Sequence, residues 1–180
     1  MNLKNRQNQL NADNFYETER LVLRPMSLED AGFILELYNR PKFIRYIGDR
    51  NLKSVSDAAE YIKNRFLPQF EKRGFGNYLI LIKEGNRKIG AAGIFEREGL
   101  DIADIGFSLL EEFEGNGYAY EAALKVKSIG MHDFGLPKIS AITTKDNNAS
   151  QKLIEKLGLE FRNMITLPGD TEELRYYETE

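Results

Sequence analysis

Two glycines separated by one residue, Gly115-Asn116-Gly117, stand between a strand-like run and the start of an amphipathic helical run. Glycine lets successive main-chain N–H groups turn toward one point, and a helix N-terminus adds about half a positive charge there. Together these form a cradle for a phosphate, although the same pattern also serves as an ordinary tight turn. Two rival phosphate loops fail on detail. A Walker loop needs a Gly-Lys-Ser/Thr ending, and no lysine follows Gly117. A dinucleotide loop needs a third glycine and a first parallel strand before it, whereas this loop follows runs that read as antiparallel hairpins.

Other chemistries are excluded by what the chain lacks. It has no cysteine, which removes thiolate nucleophiles, thiolate metal sites and disulfides. Its single histidine, His132, cannot build a multi-histidine metal site, so no metal is expected. That histidine falls near the end of a long helical run, where a cation suits the helix dipole. The net charge of −3 gives no global attraction to nucleic acid. The N-terminus is polar throughout, without the apolar stretch of a secretory signal, and no window approaches a membrane span of about 20 apolar residues. The expectation is a soluble cytoplasmic protein, a monomer or homodimer, with no membrane or nucleic-acid partner.

The elements that must position the glycine loop can be read in order. At 180 residues the chain is expected to form one domain, residues 17–180, after a mobile N-terminal lead at 1–16. Arg20 to Arg24 reads as a strand stopped by Pro25. Ser27 and Asp30 form an S-x-x-D helix start, with Ile34, Leu35 and Tyr38 at helical spacing. A short helical piece around Phe43 to Ile47 follows, then a helix from Ser54 to about Phe70. Tyr78 to Ile82 is apolar enough for a strand buried on both faces, and Glu84-Gly85-Asn86 turns it into a return strand, Lys88 to Phe95. A strand from Asp101 to Leu110 leads into the loop. The remainder alternates: helix Gly117 to Phe134, strand Lys138 to Thr144, helix Ala149 to Leu157, a strand from Leu159 and a last strand, Leu174 to Tyr177. Hairpins followed by strand–helix–strand units predict a mixed α/β sheet of about seven strands with about four helices.

Four pieces of this sequence, in order, resemble the GNAT acetyltransferases, in particular the branch containing ribosomal-protein N-terminal acetyltransferases. They are Thr18-Glu19-Arg20-Leu21-Val22-Leu23-Arg24-Pro25 with Glu29-Asp30; Asp104-Ile105-Gly106-Phe107; Glu114-Gly115-Asn116-Gly117-Tyr118-Ala119 with Glu121-Ala122; and Asn147-Asn148-Ala149-Ser150 with Leu153 to Leu159. The resemblance implies a GNAT fold, α/β with a mostly antiparallel sheet that splays in a V. It implies acetyl-CoA as acyl donor and an amine as acceptor, a ribosomal-protein or other peptide N-terminus or a small amine. The main chain of Phe107, Ser108, Leu109 and Leu110 would pair with the pantetheine arm. Gly115, Asn116, Gly117, Tyr118 and Ala119 would hold the pyrophosphate, with Asn147, Ser150 and Lys152 on the opposite wall. A catalytically silent CoA-binding sensor on the same fold is the alternative.

Acetyl transfer needs a neutral amine, and an α-amine, with a pKa of about 8, is easier to deprotonate than a lysine at about 10.4. Asp104, on the central strand, is the candidate base, with hydrogen bonding as its other reading. Glu121 reads as support for the first helical turn or as a base. Asn147 and Ser150 complete the expected catalytic set. Many members of the family carry a tyrosine acid where this chain has Ile154; Ser150 is the substitute, or a helix cap. Glu111, Glu112 and Glu114 precede a loop meant for phosphate, so they are expected to face solvent with Lys145 or Lys152 compensating. Phe43, Tyr46, Phe66, Phe70 and Phe75 read as core or as lining of an acceptor groove.

Overall fold

The computed structural model describes residues 15–180. An eight-stranded sheet runs through it in the order β1-β2-β3-β4-β5-β6-β8-β7. The strands are β1 (Tyr16–Glu17), β2 (Leu21–Pro25), β3 (Asn77–Ile82), β4 (Arg87–Phe95), β5 (Asp104–Leu109), β6 (Ser140–Thr144), β7 (Glu160–Thr166) and β8 (Glu173–Glu178). Seven strands were expected; the eighth is the two-residue β1, too short for any periodicity to announce. Of the expected lead, residues 1–14 lie outside the described residues, and Tyr16 is paired with Leu23 in the sheet.

Among the described residues five continuous helical runs pack on this sheet, one more than expected. They are α1 (Ala31–Tyr38), α2 (Pro41–Tyr46), α3 (Val55–Tyr61) continuing into α4 (Leu67–Arg73), α5 (Tyr118–Ser128) and α6 (Asn148–Lys156). Between α3 and α4 the chain makes a π-turn, Ile62–Phe66, and Pro68 follows in the first turn of α4. A proline has no N–H to give the preceding turn, and this position is where a helix tolerates it. Ser54 caps α3, its hydroxyl accepting from the Asp57 N–H at 3.1 Å.

The core follows from strand alternation. All of β3 but Ile82 is buried, as the continuous apolar run predicts. Tyr38, Phe43, Tyr61 and Phe66 form one aromatic cluster that ties α1, α2 and α3 together, with Tyr38 stacked on Phe43 at 4.0 Å. Phe43, Phe66, Phe70 and Phe75 are all buried, so these four are core and not groove lining; Tyr46 is half-buried under Arg45.

Asp30, where the chain enters α1, is fully buried. Its two carboxylate oxygens accept from both terminal nitrogens of Arg24 at 2.8 Å, from Lys88 at 2.8 Å and from the Ser27 N–H at 3.0 Å. The S-x-x-D spacing was legible as a helix start; its service as the hub joining β2, β4 and α1 was not.

The feature that shapes the site lies between β5 and β6. These neighbours are parallel and share a single register pair, Asp104 with Ser140, reinforced by the Ser140 N–H donating to Ala103 O at 2.9 Å. Beyond that point they separate, while β4–β5 and β6–β8 stay paired along their lengths. The sheet therefore opens as a V, closed at Asp104 and open toward Leu109 and Thr144.

Candidate active site

The glycine loop sits at the open end of the V. Gly115 and Gly117 both adopt positive φ, +77° and +82°, a region that glycine enters at no steric cost. Gly117 is the N-cap of α5. Among the described residues, none accepts a hydrogen bond from the N–H groups of Gly115, Asn116, Gly117, Tyr118, Ala119 or Tyr120. A side chain added at Gly115 would meet nothing within 4 Å. The loop is thus a set of unpartnered donors, exposed from Gly115 to Gly117, at the positive end of an eleven-residue helix, and its chemistry fits a pyrophosphate.

Main-chain alternation decides which part of β5 faces the gap. Leu110 N–H donates to Ile89 O at 2.8 Å on the β4 side, whereas Ala103 O accepts from Ser140 on the β6 side. Successive residues of a strand alternate in this respect. The N–H and C=O groups of Ile105, Phe107 and Leu109 therefore face the gap. Those of Ser108 and Leu110 are turned to β4. Gly90 on β4 permits the close approach: a Cβ there would lie 2.2 Å from Ser108 O.

The opposite wall is β6, its loop and α6. Asn147 caps α6, its side-chain oxygen accepting from the Ser150 N–H at 3.1 Å. The cap is thus Asn147 and not Ser150, whose hydroxyl has no partner among the described residues. The loop is pinned by Gln151, which donates to Thr144 O and Lys145 O, and by Thr144, whose hydroxyl donates to Asp146 at 2.8 Å. Ile154 is buried, so no acid replaces the tyrosine at that position. Lys152 is exposed on α6, and Lys145 is held by Glu173 at 2.7 Å.

The loop's carboxylates are offset from another quarter. Lys42 pairs with Glu114 and Arg40 lies 3.6 Å from Glu112, so the short helix α2 and its N-cap, not Lys145, supply the cations. Arg45 of the same helix reaches Asp146 on the far wall at 2.8 Å. Helix α2 thereby touches both sides of the opening.

A further cation that the sequence reading did not single out touches the loop itself. Arg20 donates to Asn116 O at 2.9 Å and to Glu121 at 2.7 Å, with its guanidinium 4.5 Å from the Tyr118 ring centroid. Glu121 also accepts from the Thr18 hydroxyl at 2.5 Å and the Arg20 N–H at 2.9 Å. Partial burial pushes the Glu121 carboxyl up, but these donors outweigh it and hold the group below the ordinary glutamate range. Glu121 is tied to the turn between β1 and β2 and poorly suited to take up a proton.

Asp104 stands at the closed end of the V, 1% exposed, gripped by Arg97 at 3.1 and 3.2 Å. Burial raises its pKa, and the single arginine only partly reverses this, leaving the carboxyl above the usual aspartate range. A shallow recess of about 470 Å³ lies beside this pair, lined by charges of both signs including Arg97, Asp101 and Lys138. It is at the opposite end of β5 from the loop, and the gap between β5 and β6 is the better match to a long, thin ligand. His132 is exposed at the end of the long helical run, remote from these groups in the chain.

The sheet opens between its two parallel strands with free amides at the mouth, and comparison with known proteins supplies the family. Residues 20–160 match the family model described as Acetyltransferase (GNAT) domain. The chain belongs to the GNAT acetyltransferase family and is an acyltransferase. It is 32% identical over 150 residues to the uncharacterized N-acetyltransferase YoaA of Bacillus subtilis (strain 168), covering 83% of this chain and 84% of that one. In structure it is similar to an acetyltransferase from Agrobacterium tumefaciens str. C58, with TM-score 0.79, 24% identity and 94% and 95% of the two chains covered. It is also similar to RimL, a ribosomal L7/L12 alpha-N-protein acetyltransferase in complex with coenzyme A, with TM-score 0.77, 17% identity and coverage of 92% and 97%. Among the described residues no helix is long and apolar enough to cross a membrane.

Proposed function

We propose that this enzyme transfers the acetyl group of acetyl-CoA directly to a primary amine while both are bound. The observation that carries the reading is the row of unpartnered amides from Gly115 to Ala119 at the open mouth of the V. In this reading those amides hold the pyrophosphate, and the gap-facing main chain of Phe107 and Leu109 pairs with the pantetheine arm. Asn147 retains its two side-chain N–H donors for the arm from the other wall, and Ser150 and Lys152 lie further along that helix. Acetyl-CoA supplies a thioester carbonyl activated for attack. The amine nitrogen forms a bond to that carbonyl carbon, the carbon–sulfur bond breaks, and the sulfur leaves as thiolate. Main-chain N–H groups of the splayed strand stabilise the oxyanion between these steps. An acceptor that arrives as ammonium first gives a proton to Asp104, directly or through water, so that the neutral amine attacks; the proton the nitrogen sheds as the intermediate collapses reaches the thiolate through the Ser150 hydroxyl or solvent.

The preferred acceptor is an α-amine, because its pKa of about 8 leaves an appreciable neutral fraction at physiological pH. RimL, named for α-N acetylation of a ribosomal protein, supports a protein N-terminus as the acceptor class; a small amine is the next candidate.

Gly117→Glu tests the donor site by forcing a non-glycine residue to positive φ in the loop and adding a carboxylate beside Arg20, whose guanidinium lies 3.3 Å from where the new Cβ would stand. Calorimetric titration with CoA is expected to give binding in the wild type and none in the variant. Thiol release from acetyl-CoA with peptide α-amines is expected only in the wild type. Equal CoA affinity in both proteins would remove the loop assignment, and CoA binding without acetylation of any amine would favour a silent sensor.

A further inference from the structure

Arg20, in the turn between β1 and β2, reaches the loop, a contact between residues 96 positions apart. Its guanidinium is used on two sides. The Nε and one terminal nitrogen meet Glu121 Oε2 at 2.7 Å, and the other terminal nitrogen donates to the carbonyl of Asn116 at 2.9 Å. That carbonyl belongs to the peptide linking Asn116 to Gly117.

We propose that Arg20 is a positioning residue that fixes the Asn116–Gly117 peptide so that its N–H faces the donor's pyrophosphate. The proposal rests on the acetyl-CoA reading above. No described peptide is cis, and in a trans peptide the C=O and N–H point to opposite sides. Holding Asn116 O against Arg20 therefore turns the Gly117 N–H away from Arg20, where it has no partner among the described residues and is free for a ligand. The alternative orientation is within reach. Rotating the peptide before a glycine by about 180° interconverts two common turn types at small steric cost. The flipped peptide would present a carbonyl oxygen to the phosphates and withdraw one donor. The second part of the device is charge. Glu121 sits in the first turn of α5, where a carboxylate competes with a bound anion for the helix's positive end. Arg20 cancels that charge with the same guanidinium that holds the peptide.

The test is titration calorimetry of CoA and dephospho-CoA into the wild type, Arg20→Ala and Arg20→Lys, with thermal melts of the ligand-free proteins alongside. Arg20→Ala is expected to weaken both ligands by about ten-fold or more, the scale of one charge-assisted hydrogen bond, and by the same factor for each. Arg20→Lys keeps the charge but lacks the planar fork that reaches Glu121 and Asn116 together, so it should recover only part of the loss. Unchanged CoA affinity in Arg20→Ala would overturn the proposal. A loss confined to CoA would make Arg20 a direct ligand of the 3′-phosphate, and full recovery in Arg20→Lys would leave only charge; either outcome overturns it too. Should Arg20→Ala fail to fold, Arg20→Lys decides, since wild-type affinity in that variant contradicts the role of the fork. A wild type that does not bind CoA at all would instead sink the donor reading, a result visible before any variant is made.

Discussion

Asp30 and Asp104 are both buried aspartates beside an arginine, yet their environments push them in opposite directions. Asp30 accepts five hydrogen bonds, from Arg24 twice, from Lys88 and from the main chain and hydroxyl of Ser27. Burial alone would raise its pKa, but two cations and the Ser27 N–H hold it well below the ordinary aspartate range. Asp104 has one cation, Arg97, and burial prevails, so its pKa lies above that range. The first carboxylate has spent its capacity to accept and can only hold β2, β4 and α1 in place. The second keeps capacity to take a proton at the closed end of the opening, as the proposed role of base requires.

Breaking the Asp30 hub is expected to have the largest effect. Asp30→Ala strands Arg24 and Lys88 around an apolar gap, and losing one partner of a buried ionic cluster costs about 3–5 kcal/mol. The guanidinium unfolding midpoint reports it; a shift under 1 kcal/mol would mean that solvent reaches the cluster. The pH dependence follows from the direction of the shift. The unfolded chain takes up a proton near pH 4 while folded Asp30 does not, so its contribution is intact above that pH and lost progressively below it. Asp104 acts with opposite sign: its folded form binds the proton first, so acidification relieves the cost of burying its charge.

Asp104→Asn is expected to cost less stability, about 1 kcal/mol or under, since the Arg97 side chain is 34% exposed and can turn to water. Its effect belongs in turnover. A lost general base lowers kcat by about 100-fold, and the wild type's acid limb, set above the usual aspartate range, should vanish from the kcat/KM profile. The same limb in wild type and variant would return Asp104 to the company of Asp30, as a structural carboxylate.

What the sequence disclosed, and what it hid, divides along the same line of local against distant. The S-x-x-D start at Ser27, the run from Tyr78 to Ile82, the hairpin at Glu84-Gly85-Asn86 and the Gly115–Gly117 loop are each written within a few neighbouring residues, because turn and periodicity preferences act at that range. The donors that saturate Asp30 include Lys88, 58 positions away, and Glu121 is met by Thr18 and Arg20 from more than 100. Spacing along the chain carries no trace of such pairs. The cations facing Glu112 and Glu114 were missed for the same reason: Arg40 and Lys42 approach through the packing of α2, not through proximity in sequence. The assignment of main-chain groups on β5 needed the partner strand as well, since only pairing with β4 tells which residues are turned away.

Asn147 is the intermediate case and offers the smallest expected effect. Its side-chain oxygen is spent on the Ser150 N–H, as in the saturated Asp30 hub, while its two amide N–H groups have no partner among the described residues, as at a site left for ligand. Asn147→Ala removes both and should cost about 1 kcal/mol through the lost cap, together with a rise in KM for acetyl-CoA. Asn147→Asp separates the two roles. A carboxylate caps at least as well and favours the helix dipole, so stability should return to wild type or slightly exceed it. It cannot donate, so the KM defect for acetyl-CoA should persist, while the KM for the amine should not rise. Recovery of both properties in Asn147→Asp would show that the cap alone accounts for this residue, placing it wholly on the structural side of the division that Asp30 and Asp104 define.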